Sequence, residues 1–398
     1  MRRALVVLHR WPSLVLGLLL VLETTSGAVL LFHGEYFRAT HSSLYVHGTG
    51  TDVGPDRAID EVARVDPDFA PLWAAKDDGV WLVGNADYQT VYGVDPASGR
   101  ITDHADTDSG VMGFLVNLHD CALSCEGYPG HVGWLGNTVP TLGLSFLTGI
   151  TWSAVVLGTL GVLLIGLAVS GAIVWWPGIA RWRHGFRVRT GKGRFARDYD
   201  LHNVVGIVAV PFLLMWGITG AAFEFPVVEK AWLAVTGGEQ VAEPDFALTP
   251  DPTTADRPDI GTDRAVATAL ALVPGDAQWI GRPSADASWY EIDVVTSYGS
   301  SAGRAIYSGD AYVLIDAHNA TNTQVFDSGD GPLANRFYDK FLEPTHFGWN
   351  VNAWWRLVWL ALGLTPLILM VTGVSTWLFR RGTRKRRRAA RATHAACA

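Results

Sequence analysis

The chain has 398 residues, of which 49% are hydrophobic and only 17% charged, too apolar a mixture for an ordinary soluble enzyme. Its net charge of −7 hides a separation of basic from acidic residues. The basic runs flank apolar stretches instead of covering a folded face, which argues against a nucleic-acid partner.

In chain order, residues 1–32 are predicted as a first transmembrane helix around the apolar run Leu14–Phe32. Such a run is about as long as the ~20 residues that cross a hydrocarbon core. Arg2 and Arg3 ahead of it resemble a secretory signal. The apolar stretch nevertheless continues to Phe32, and Gly27-Ala28 recurs in a later span, so an uncleaved helix is expected. Residues 33–150 form a first outer domain, in which acidic residues outnumber Arg38, Arg57, Arg64, Lys76 and Arg100. Asp56–Val65 reads as a short amphipathic helix, Val80–Val83 and Thr90–Val94 as strands, and Asp95–Gly99 as a turn. Cys121 and Cys125 lie in this segment and are either bridged or separately buried.

Residues 151–177 are the second span, around Ser153–Trp176. Residues 178–202 are a basic loop with Arg181, Arg183, Arg187, Arg189, Lys192, Arg194 and Arg197. Residues 203–224 are the third span, around Val204–Phe223. Residues 225–350 form a second outer domain: a linker rich in Pro, Asp and Thr (Val241–Gly261), a helix (Thr262–Leu272), strands (Trp289–Thr296 and Ala311–Ile315) and a turn (Asp316–Asn319). Residues 351–380 are the fourth span, around Leu357–Phe379, and 381–398 a basic tail whose Cys397 is read as a free thiol. Lys and Arg concentrate in the terminal segments and the 178–202 loop, so both termini are expected in the cytoplasm and both outer domains outside. The fold class is therefore membrane α-helical, with two small extracytoplasmic α+β domains.

The chain also repeats itself. Laying His9 on His202 brings Ser26 onto Thr219, Gly27 onto Gly220, Ala28 onto Ala221 and Phe32 onto Phe225. Ser170-Gly171 followed by Trp175 likewise parallels Thr372-Gly373 followed by Trp377. Each half reads span, outer domain, span. Both start on the same side, so the repeats are parallel.

Tyr92-Gly93-Val94-Asp95-Pro96-Ala97-Ser98-Gly99-Arg100 resembles the closing hairpin of PepSY domains. Ser170-Gly171-Ala172-Ile173-Val174-Trp175-Trp176-Pro177, and Asp200-Leu201-His202 with Thr219-Gly220, resemble spans of PepSY-associated transmembrane proteins. Leu118-His119 resembles that family's Leu-His before the second span, although Cys121–Thr148 is longer than usual. The resemblance implies a multi-pass protein of the bacterial cytoplasmic (inner) membrane. Some members are haem-containing ferric-siderophore reductases; others are called iron-regulated membrane proteins.

Several histidines sit at span mouths. His9 and His202 open spans one and three on the inner side; His119, His131 and His346 precede spans two and four on the outer side; His33 ends span one. Ionisable groups at membrane depth are costly and tend to be functional, and imidazole is a common haem ligand. The expectation is two b-type haems, one between His9 and His202 and one between His346 and either His119 or His131. No Cys-x-x-Cys-His is present, which excludes covalent attachment of the c type. With no flavin, NAD, nucleotide or hydrolase motif, the expected donor is a membrane quinone or another protein, and the expected acceptor ferric iron or a ferric siderophore.

Two other readings compete. A non-enzymatic PepSY regulator or binding protein of the cell envelope would use the outer domains alone. A transporter ranks last, since the spans lack a paired charged set at mid-depth and no broken helix is evident.

Overall fold

The computed structural model describes residues 2–396 apart from 108, 145–146, 241–245, 297–309, 327–330 and 349–351. Cys397 lies outside the described residues. The first half contains α1 (Arg2–Leu30), α2 (His33–Thr40), α3 (Pro55–Val65), β1 (Trp73–Asp77), β2 (Val80–Gly84), β3 (Thr90–Val94), β4 (Ile101–Asp106), α4 (Gly110–Cys121) and α5 (Trp152–Trp175). The second contains α6 (Arg194–Glu224), α7 (Pro226–Thr236), α8 (Thr262–Leu272), β5 (Asp276–Gly281), β6 (Trp289–Val295), β7 (Ala311–Asp316), β8 (Asn319–Phe326), α9 (Leu333–Phe337), α10 (Glu343–Phe347), α11 (Ala353–Gly363) and α12 (Thr365–Ala396).

Four helical segments are long and apolar enough to cross a membrane: Arg3–Leu30, Trp152–Trp175, Arg194–Glu224 and Trp354–Arg386. The chain is a membrane α-helical protein with a β-sheet attached. α5 and α6 pack along each other at the centre, α1 lies against α5 and α12, and α12 against α6. Small residues permit this contact: a Cβ on Gly161 would fall 2.7 Å from the Ala221 backbone nitrogen.

Two features of the spans differ from the sequence reading. α6 begins at Arg194, well before residue 203. Its first turns carry Asp198 and Asp200, which are buried yet paired, Asp198 with Arg197 at 2.8 Å and Asp200 with Arg189 at 2.8 Å. Neutralised in this way, the acids let the helix continue past the apolar stretch. The fourth span is interrupted, correcting the expectation of unbroken helices: α11 ends at Gly363 and α12 starts at Thr365. Pro366 supplies no N–H to the turn before it. The Thr365 hydroxyl donates instead to the Leu362 carbonyl at 2.6 Å.

The outer segments are joined in one antiparallel sheet of order β4-β3-β2-β1-β5-β6-β7-β8, where two separate small domains were expected. The join is β1 with β5, Ala74 opposite Ile280. Pairing the first strand of each half removes two exposed sheet edges, which are otherwise a liability. One face of the sheet packs on α3 and α8 through Ile59, Val62, Ala265, Ala269, Ile280, Ile292 and Ile315. Each isoleucine or valine among them contributes about 1.5–3 kcal/mol on burial. The other face carries Trp73, Ala75 and Trp279 against Phe37 of α2 and Leu44. Below it, Arg356 of α11 is buried and donates to the Leu31 carbonyl at 3.0 Å and to Glu35, fastening α11 to the end of α1.

Candidate functional site

The bundle brings four histidines together in two pairs. The rings of His9 (α1) and His202 (α6) have centroids 6.3 Å apart at an interplanar angle of 89°. His119 (α4) and His346 (α10) are also 6.3 Å apart, at 45°. α4 runs beside α1, and α10 follows a single π-helical turn, Tyr338–Leu342, a distortion frequent at functional sites.

Every one of these rings rests on the same two-residue device, a hydroxyl followed by glycine. His9 Nδ1 lies 3.0 Å from Ser170 Oγ. His202 Nδ1 lies 3.1 Å from Thr372 Oγ1 and 3.0 Å from the Leu369 carbonyl. His346 Nδ1 lies 2.6 Å from Thr219 Oγ1. His119 Nδ1 lies 3.4 Å from Ser26 Oγ, 2.8 Å from the Glu23 carbonyl and 3.1 Å from the Glu23 carboxylate. The glycine that follows each hydroxyl leaves room for the ring. A Cβ on Gly27 would fall 2.3 Å from His119 Cε1; on Gly171, 3.2 Å from His9; on Gly373, 3.4 Å from His202; on Gly220, 3.5 Å from His346.

The hydroxyls determine the tautomer. Each has one proton and gives it to its own helix: Ser26 to the Leu22 carbonyl at 2.9 Å, Ser170 to Leu167 at 3.3 Å, Thr219 to Met215 at 2.8 Å and Thr372 to Ile368 at 2.7 Å. With those protons committed, the hydroxyls are assigned as acceptors from Nδ1–H, which leaves Nε2 as the ring nitrogen for a ligand. This is the outer-shell pattern of metal-binding histidines. Imidazole nitrogens bind metals at about 2 Å, so two rings on opposite sides of one ion have centres roughly 6 Å apart. Among the described residues no group of three or more His, Cys, Asp or Glu is placed to hold a metal ion. Two imidazoles alone suit a metal whose other positions are already filled.

Charge differs within the outer pair. Burial opposes a charge on His119, but the Glu23 carboxylate outweighs it and pushes that imidazole up to about 9. A metal at its Nε2 would therefore displace a proton. Burial, and then the neighbouring His119, push His346 down to about 3.

His131 does not join either pair. It is exposed on the loop after α4, which corrects its candidacy as an outer ligand. α4 turns at Ala122, and a disulfide between Cys121 and Cys125 closes the turn. His33 lies in the wall of the outer cavity.

That cavity, of about 860 Å³, extends from the His119–His346 pair to the underside of the sheet. Its walls include Glu23, Asp120, Glu224, Glu291 and Asp293, and no Lys or Arg among the described residues. Sequence reading missed Glu291 and Asp293. The visible signal was the alternation Glu291-Ile292-Asp293-Val294, which sends both acids to the face opposite the α8 core. Burial, and then the nearby Glu291, raise Asp293 well above the usual carboxyl range.

Fold and site define a multi-pass membrane protein that carries a pair of facing histidines at each end of a four-helix bundle, under a fused β-sheet. The chain belongs to the PepSY-associated TM region family, whose profile matches residues 6–380. It is also similar to the uncharacterized protein PA4219 of Pseudomonas aeruginosa, with 26% identity over 250 residues. That match covers 58% of this chain and 60% of the relative.

Proposed function

We propose that this protein conducts electrons across the bacterial cytoplasmic membrane through two non-covalently held b-type haems. One is ligated by His9 and His202, the other by His119 and His346. The observation that carries the reading is the fourfold unit of histidine, hydroxyl and glycine, present twice in each half of the repeat. The glycines leave flat surfaces at the imidazoles, as a macrocycle between helices requires. Haem supplies a one-electron redox centre when bound.

The chain's own residues do the rest. Ser170, Thr372, Thr219, Ser26 and Glu23 hold the ring orientations through Nδ1. Leu20, Leu160, Leu164 and Leu213 pack as an apolar cluster between the two levels. His9 and Gly27 on α1 are separated by roughly 27 Å of helix at 1.5 Å per residue, so the two pairs belong to opposite ends of the span. The basic segments flank the His9–His202 end, and we assign that end to the cytoplasm. A membrane quinone or another membrane protein is the proposed donor. The acceptor is ferric iron or a ferric siderophore on the sheet side.

The purified protein should show b-type bands that sharpen with dithionite. His9→Ala and His202→Ala should remove one common signal and His346→Ala a different one. A colourless preparation from haem-replete cells, or inner variants with a full haem complement, would refute the proposal.

A further inference from the structure

We infer that the cavity between the sheet and the bundle is a receiving chamber for a positively charged metal chelate, held by Glu291 and Asp293 against an aromatic shelf of Trp73, Trp279 and Tyr88. This deepens the reading above by giving the acceptor a charge class, and it rests on that reading only for calling the bound molecule an acceptor.

The shelf straddles the β1–β5 join. Trp73 and Trp279 stack with centroids 3.8 Å apart, and Tyr88 lies over both at 5.7 and 5.8 Å. Trp73 belongs to the first half of the chain and Trp279 to the second, so the shelf exists only because the halves share a sheet. Tyr88 is exposed and held at φ 59°, in the left-handed region. A bulky residue there is strained, and such strain gathers at ligand-contacting sites. Thr107 Oγ1 donates to the Tyr88 carbonyl at 2.9 Å and helps hold that backbone.

The acids give the chamber its sign. Asp293 is 1% exposed, lines the cavity, and its Oδ1 has no hydrogen-bond partner among the described residues. A buried carboxyl oxygen without a partner is costly, and natural folds seldom keep one without a use. Glu291 stands two residues away on the same face of β6. Asp120 and Glu224 close the chamber from the bundle side. Among the described residues the walls hold no lysine or arginine, and the imidazole of His119 is already paired with the Glu23 carboxylate at 3.1 Å, so an anionic ligand would meet repulsion, while a cation would give Asp293 the partner it lacks. The aromatic faces suit an apolar or cationic surface.

The test uses two redox-inert gallium(III) trihydroxamates with the same chelating core, one bearing a pendant amine and the other the same amine succinylated. Binding to the full-length protein in detergent is followed by calorimetry. The cationic chelate should bind about ten-fold or more tightly than the anionic one, a modest share of what a charge pair supplies at low dielectric. Asp293→Asn with Glu291→Gln should abolish most of the preference. Asp286→Asn, which removes an exposed acid from the loop before β6, should leave it intact. Glu291→Gln alone should give an intermediate preference and serves if the double variant fails to fold. Equal binding of the two chelates, or a preference that survives loss of both acids, overturns the inference. A haem-free protein that keeps the preference would sink the electron-transfer reading and leave the chamber standing. A haem-loaded protein without the preference would do the reverse.

Discussion

Gly27 and His119 compete for one space: a Cβ on Gly27 would sit 2.3 Å from the imidazole Cε1 and 2.6 Å from Nε2. Alanine favours a helix over glycine by about 1 kcal/mol, so Gly27→Ala should not weaken α1 itself. It should displace His119 and remove the outer haem signal while the inner one stays. The repeat-related Gly220→Ala, with 3.5 Å to His346, should keep both. Low-temperature absorption spectra of the two variants separate these outcomes, and identical spectra would break the assignment.

Thr219→Val should loosen the outer cofactor. Thr219 is fully buried, and among the described residues its hydroxyl is the hydrogen-bond partner of His346 Nδ1. Valine keeps its shape and removes the acceptor, and outer-shell losses of this kind cost about 10–100-fold in metal affinity. Thr372→Val should cost less, because the Leu369 carbonyl still accepts from His202 at 3.0 Å. Haem titration of the stripped variants gives both constants. A larger loss for Thr372→Val would reverse the ranking.

Much of this site was open to sequence reading for a physical reason. A transmembrane helix must be apolar over a fixed length, so an inserted histidine or a Ser-Gly pair stands out against it, and the repeat supplies a second copy for comparison. His9 with His202, and Ser26-Gly27 with Thr219-Gly220, were visible in that way. The choice between His119 and His131 was not, because both precede the second span and only the course of α4 and its Cys121–Cys125 turn separates them. The β1–β5 join was equally hidden. Pairing between Ala74 and Ile280 depends on how two distant segments meet, and neither strand's pattern specifies its partner. Glu291 and Asp293 alternate with Ile292 and Val294, a pattern that marks one face of a strand as polar without saying what covers it.

Orientation follows from charge. Reporter fusions after Ser98, in the β3–β4 turn, and after His318, in the β7–β8 turn, should both be active outside the cytoplasm. A fusion after Arg384 should be active only inside. Cytoplasmic activity at either turn would invert the proposed direction of electron flow.

Asp293 ties ionisation to stability. Its folded-state pKa is raised well above 3.8, first by burial and then by Glu291, and Glu291 is itself raised by burial. Between the ordinary value and the raised one, the unfolded chain has lost a proton that the folded chain retains. Unfolding is then favoured as pH rises, by at most about 1.4 kcal/mol per pH unit for one group. The penalty is absent near pH 3.8 and fully developed above the raised pKa. Asp293→Asn has no such proton, so the variant's thermal midpoint should pull ahead of wild type as pH rises from 4 towards 8 and converge with it on acidification. Glu23, His33, Tyr88, His119, Asp120, Tyr128, Glu224, Glu291, Tyr312 and His346 face the same cavity and remain in both proteins, so the difference between the curves reports Asp293 together with its coupling to Glu291. A bound cation should close the gap at neutral pH by stabilising the wild-type carboxylate. Parallel midpoint curves from pH 4 to 8 would mean that Asp293 does not carry the unpaired proton assigned to it.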